Sequence, residues 1–131
     1  MRTGVAVVLL LVAPLKPPVI HEKFTSLPCP KQHAYSTLAM EGCAEQSILK
    51  TDKQINAQAA LIFKLLPASY RAGFVRSEHS WLAYRNGTCE AQSGKYAGGT
   101  AAGVIAATCV ADTNREHLRD LVAFRKFLQI H

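Results

Sequence analysis

Four cysteines, Cys29, Cys43, Cys89 and Cys109, carry the most chemistry in this 131-residue chain. Their spacings contain no C-x-x-C pair, so a zinc site of four thiolates has no local support. An even cysteine count in a short exported chain suggests two disulfides instead, which places the protein outside the reducing cytoplasm. Glu78-His79-Ser80 holds catalytic residue types, but neighbours one apart on a helix point in different directions. No nucleophile elbow, metal pair or phosphate-binding glycine loop is present. These residues argue against an enzyme and call for no cofactor and no metal. Asp112, Glu116 and Asp120 recur at every fourth position, an acidic stripe if the segment is helical. The stripe could attract a basic partner, or be neutralised locally by Arg115 and Arg119, each three residues beyond an acid.

The elements that must position these groups follow from punctuation and periodicity. Met1-Arg2-Thr3 gives a positive start, and Gly4 to Ala13 is an unbroken apolar run. Spanning a bilayer needs about 20 such residues, so this run implies no stable membrane span. It matches the apolar region of a secretion signal over residues 1–16, without an A-x-A cleavage pattern; a buried N-terminal strand or helix is the alternative. Five of the six prolines fall within residues 14–35, and Pro17-Pro18 and Pro28-Cys29-Pro30 forbid a helix. Residues 17–35 therefore read as an extended leader.

Residues 36–131 read as one helical domain. Ser36 or Thr37 can cap a first helix, with Glu41 early in it favouring the positive dipole end. Leu38, Ile48, Ile55, Ala59, Ile62 and Leu66 then recur at helical spacing up to Pro67. A short turn starts a second helix, on which Phe74, Ser77, Trp81, Tyr84 and Thr88 form one stripe. Residues 93–100 (SGKYAGGT) hold three glycines and read as a loop. A third helix runs from about Ala101 to Leu128, with Val104, Ile105, Thr108, Leu118, Leu121, Val122, Phe124 and Leu128 as its apolar side. No strand-like alternation appears. The fold class is all-α, an antiparallel array of about three helices.

That topology brings the cysteines to one end. Cys43 lies 24 residues before Pro67 and Cys89 lies 22 after it, and the glycine loop returns Cys109 to the same level. All three pairings remain open. Cys89–Cys109 across the hairpin and Cys29–Cys43 pinning the leader are favoured. The second needs the leader to fold back, because 14 residues of continuous helix would separate the sulfurs by about 21 Å. The formal charge of +6 falls to +4 without Arg2 and Lys16 and is scattered, which disfavours nucleic acid as a partner.

Several segments resemble the LprI-type lysozyme-inhibitor family. Asp52-Lys53-Gln54-Ile55-Asn56 resembles its D-x-x-L-N element, with Ile55 in place of Leu. Trp81, Tyr84, Arg85 and Cys89 are similar to its W-x-x-Y-R-x-x-x-C helix. Gly98-Gly99-Thr100 followed by Cys109, Thr113, Arg115 and Leu118 resembles its glycine loop and C-x-x-x-T-x-R-x-x-L tail. The likeness covers about residues 29–121. It implies a small, periplasmic or secreted, mostly helical bacterial domain whose partner is lysozyme or another envelope protein.

Trp81 and Tyr84 read as a core anchor, with the Tyr hydroxyl finding a partner at the edge. Asp52 falls on the face that carries Ile48, Ile55 and Ile62, where a carboxylate needs a counter-charge. Arg85 and Arg115 are the candidates. Loop 93–100 is the candidate contact surface, with Ser93, Lys95 and Tyr96 as contact groups on a backbone turned by Gly98 and Gly99. A loop tethered by Cys89 and Cys109 loses less entropy on binding. The expected function is non-covalent inhibition of lysozyme, with loop 93–100 and the acidic stripe as contact surface. The alternative is a general envelope module that binds a protein or a wall polymer without inhibiting.

Overall fold

The computed structural model describes residues 3–6, 14–22, 27–30 and 36–130. Much of the apolar run read as a secretion signal, and residues 23–26 and 31–35 of the leader, lie outside the described residues. Three helices form the domain: α1 (Thr37–Leu65), α2 (Ala68–Gly94) and α3 (Ala101–Ile130). Among the described residues there is no strand, and no helix is long and apolar enough to cross a membrane. The Ser36 hydroxyl accepts from the Ala39 amide at 3.1 Å and caps α1. At its other end Arg71 donates to the free carbonyls of Leu66 and Lys64, and its guanidinium lies over the Phe63 ring.

α1 and α3 run parallel, side by side, and α2 runs antiparallel against α3. α1 and α2 scarcely approach each other directly. Two apolar clusters are stacked along the bundle. Ile48 of α1 meets Ala107 and Ala111 of α3 in the first. Ile55, Ala59, Ile62 and Leu66 meet Phe74 and Leu121 in the second, with Trp81, Leu118 and Phe124 packed around them. Full burial of each large aliphatic chain contributes about 1.5–3 kcal/mol. Leu38 is exposed, although the adjacent Ala39 is buried, so it lies on the outer side of α1. Thr108 also faces solvent; α3 turns Ala107, Ala111, Asn114 and Leu121 inward instead.

Both disulfides have the favoured pairing. Cys29–Cys43 has Cα atoms 4.5 Å apart, and Cys89–Cys109 has them 5.5 Å apart. With no cysteine left free, the thiolate–zinc alternative is removed. Cys29 reaches Cys43 because the leader folds back over Gly42. A Cβ on Gly42 would lie 2.4 Å from the Pro28 carbonyl oxygen and 3.1 Å from Leu27 Cβ. The obstacle is backbone, and the neighbouring crosslink holds it in place. Gly42→Ala is expected to cost about 1–3 kcal/mol as overpacking. Gly87→Ala, whose Cβ would meet nothing within 4 Å, is expected to stabilise by about 0.5–1 kcal/mol. Thermal melts of the two variants should therefore move in opposite directions.

Glu41 does not serve α1's own dipole, since the first turn of α1 contains no acid. Its carboxylate lies against Gly103, where a Cβ would approach it to 2.6 Å. Gly103 is in the first turn of α3, so the anion faces that helix's positive end instead.

Candidate functional site

The connection between α2 and α3 is shorter than the sequence suggests. Ser93 and Gly94 still belong to α2, and Ser93 donates its hydroxyl to the Glu90 carbonyl at 2.9 Å. The exposed turn comprises residues 95–100. It is wound tightly by amide bonds from Tyr96 to Ser93, Ala97 to Gly94 and Gly99 to Tyr96, at 2.9, 3.2 and 3.0 Å. Gly98 has φ +83°, a left-handed conformation that a side chain would strain. Tyr96 is 42% exposed, and the Lys95 ammonium lies over its ring at 5.9 Å. The Cys89–Cys109 crosslink ties the two helices that carry this turn.

The acidic stripe is not part of the same surface. Asp112 lies 12 residues beyond Thr100, about 18 Å along α3, and Asp120 lies farther still. Asp112 is ion-paired with Arg115, and both are about half exposed. Arg115 also donates to the Ser47 hydroxyl at 3.1 Å, so it is spent on the surface and does not reach Asp52. Glu116 and Asp120 are exposed.

Between the two apolar clusters lies a polar layer that draws on all three helices and the leader. Arg85 of α2 is 1% exposed, Asp52 of α1 is 4% and Asn114 of α3 is 0%. Arg85 donates to Asn114 Oδ1 at 2.9 Å, to Asp52 Oδ1 at 3.5 Å, to the neighbouring Asn86 and to Glu22 of the leader. Asn114 donates to Asp52 Oδ1 at 2.8 Å and to the Thr51 hydroxyl at 2.9 Å. Asn114 is thus the closest partner of Asp52, and Glu22 is the second carboxylate on the arginine. Asp52 Oδ2 is buried without a hydrogen-bond partner.

This asymmetry sets the acidity of Asp52. Burial pushes its carboxyl above the ordinary value; the Asn114 bond pulls it down, the Glu22 charge pushes it up, and Arg85 pulls it down again. Upward wins. A raised folded value means that the neutral form is favoured in the folded state. The associated stability is present in full below the unfolded value of about 3.9 and is lost as pH rises through the folded value. Asp52→Asn cannot titrate. The wild-type melting temperature should therefore exceed that of Asp52→Asn by more at pH 4 than at pH 7. A gap that stays constant across that range contradicts the assignment.

The second helix turns a different face inward from the one its apolar residues suggest. Phe74, Glu78, Arg85 and Cys89 are buried, whereas Ser77 and Tyr84 face solvent. Tyr84 is 65% exposed and is no core anchor. Trp81 does pack in the core, stacked on His117 of α3 with ring centroids 3.7 Å apart. Glu78 bonds His117 Nε2 at 2.9 and 3.1 Å. His79 and Ser80 are exposed while Glu78 is buried against His117, so the three adjacent residues do not converge as a catalytic set. Asn56 holds the leader, with two hydrogen bonds to the backbone of Ile20. Glu22, Asn114 and His117 belong to these networks without a signal in composition or motif. Asn114 alone leaves a trace, as a polar residue within the Ala107-Ala111-Leu118-Leu121 face.

Comparison with known families gives a match over most of the chain. The family described as Lysozyme inhibitor LprI matches residues 29–121. No curated protein and no solved structure matches.

Proposed function

The chain belongs to the LprI lysozyme-inhibitor family, and from that premise we propose that it is an exported, non-enzymatic protein that binds lysozyme non-covalently and so protects the cell wall. The contact surface in this reading is the turn of residues 95–100. The observation that carries it is the coincidence of an exposed Tyr96 and Lys95 with a left-handed Gly98, on a turn braced by the Cys89–Cys109 crosslink. A carbohydrate-cleaving cleft is concave, and a narrow, preorganised protrusion can enter it with little loss of chain entropy. Tyrosine suits the tip, because it offers large amphipathic area with few rotatable bonds. Two disulfides and a leader folded back on the domain fit an oxidising compartment such as the periplasm or the exterior.

Charge does not drive the encounter in this account. The protein carries a formal +6, which opposes rapid approach to a cationic lysozyme. The acidic stripe, distant from the turn and partly neutralised by Arg115, adds little. Binding to such a lysozyme, measured by titration calorimetry, should then hold or tighten as salt is raised. Tyr96→Ala should weaken it at least tenfold while leaving helicity and melting temperature unchanged. Equal affinity of Tyr96→Ala and wild type would remove the turn from the interface.

A further inference from the structure

The leader is bound to the helices as a peptide ligand is bound to a receptor. α1 and α2 leave a trough between them, and residues 18–22 lie in it. The segment alternates as an extended strand does: Pro18 is buried, Ile20 and Glu22 are half-buried, and Val19 and His21 face solvent. Each inward position meets a dedicated feature. Ile20 packs on the apolar cluster of Ile55, Ala59 and Trp81. Glu22 is ion-paired with the buried guanidinium of Arg85. The Asn56 side chain reads the backbone: its Oδ1 accepts from the Ile20 amide at 2.8 Å, and its Nδ2 donates to the Ile20 carbonyl at 3.1 Å. That two-way amide bond is the pattern by which one strand pairs with another, and it works for any residue except proline. The fit leaves a void of only about 10 Å³ beneath the segment, roughly the space of one water.

Beside the segment, a shallow pocket of about 220 Å³ lies between His21, Glu22 and the Leu49, Asp52 and Lys53 side of α1.

We propose that the trough between α1 and α2 is a peptide-binding site, which the chain fills in cis with residues 18–22, and that its partner in trans is an extended segment of the pattern apolar-x-apolar-x-acidic. Asn56 supplies the backbone register, the Ile55–Ala59–Trp81 surface takes the central apolar side chain, and Arg85 takes the carboxylate. The chain's own segment is then a competitor that keeps the site closed. A short tether gives such a competitor an effective concentration on the order of millimolar, so trans binding requires the strap to be weakened or a ligand that outbids it. This site does not include the 95–100 turn, and its test is independent of lysozyme.

The probe is a fluorescein-labelled peptide of the chain's own residues 16–22, followed by anisotropy with the full-length oxidised protein. An Ile20→Ser/Glu22→Gln variant, whose helicity is checked by circular dichroism, should bind the peptide at least tenfold more tightly than the wild type. Adding Asn56→Ala to that variant should weaken binding at least tenfold. A second measurement uses the unaltered chain: excess unlabelled peptide should displace the strap and speed hydrogen exchange at the chain's own Ile20 amide several-fold. No peptide binding by the folded variant, or an Ile20 exchange rate indifferent to the peptide, would show that the trough serves only to close the fold.

Discussion

Arg85→Met is expected to destabilise the protein by about 3–5 kcal/mol, the cost of breaking a buried ion pair from one side. Methionine matches the arginine stem in length and packs in a core, so the loss is electrostatic rather than a cavity. What remains is worse than what is removed. Asp52 keeps only Asn114 on Oδ1 and still has nothing on Oδ2, and Glu22 loses its partner. Asn114 Oδ1 and Asn86 Oδ1 lose their arginine donor as well. For a domain of this size, each 1 kcal/mol lowers the melting temperature by a few degrees, so a fall of roughly 10 °C or more should be seen. Arg85→Lys should fall between the two, because an ammonium cannot meet Glu22, Asp52 and two asparagines at once. Asp52→Asn combined with Arg85→Met should cost clearly less than the sum of the single changes, since each removes the reason for the other. A melt of Arg85→Met within 2 °C or so of wild type would mean that the polar layer is not what aligns the helices.

Removal of the Cys89–Cys109 crosslink by paired alanines has the second largest expected effect. The bridge closes 20 residues, and in the chain-entropy account a loop of that length is worth about 3 kcal/mol. Cys89 is also 2% exposed, so its sulfur is part of the packing. The functional consequence separates the two bridges. Without Cys89–Cys109 the ends of α2 and α3 are free to splay, and the 95–100 turn loses its preorganisation. Affinity for lysozyme should fall at least tenfold at a temperature where the protein is still folded. Paired alanines at Cys29 and Cys43 should lower the melting temperature but leave affinity within about threefold, because that bridge pins the leader and not the turn. Equal loss of affinity in both would point to a contact surface elsewhere.

Much of the architecture is legible in the chain because its punctuation is strong. Ser36 and Pro67 mark the start of α1 and the break between α1 and α2 to within a residue or two, and the Gly98-Gly99 pair comes just before α3, whereas α2 stops at Gly94, four residues short of it. The topology brings the sulfurs to one end and favours the observed pairing without excluding the other two. The rotation of α2 is not legible from its apolar residues, since its inward face carries Glu78 and Arg85. A pattern rule sends both to solvent; each is buried only because a partner from a distant segment meets it, His117 for one and Asp52, Asn114 and Glu22 for the other. One signal was available. Cys89 must face α3 to reach Cys109, and counting back from it by helical turns places Arg85, Trp81, Glu78 and Phe74 on the inner face. The docking of the leader leaves no trace in hydropathy, because Asn56 holds it by the backbone. The proposed contact surface is the least legible part. Tyr96, Lys95 and Gly98 stand out as a turn, but an exposed turn and a binding turn have the same composition.

The central claim is that this small crosslinked helical domain arrests lysozyme by surface fit alone. Its most direct test is the rate at which lysozyme clears a suspension of bacterial cell walls while purified, fully oxidised protein is titrated in. The account expects clearing to slow with a saturable dose dependence at micromolar protein, and to recover on dilution because no covalent bond forms. Clearing that proceeds at the uninhibited rate through a large micromolar excess would contradict it, and would leave a wall or envelope component as the partner.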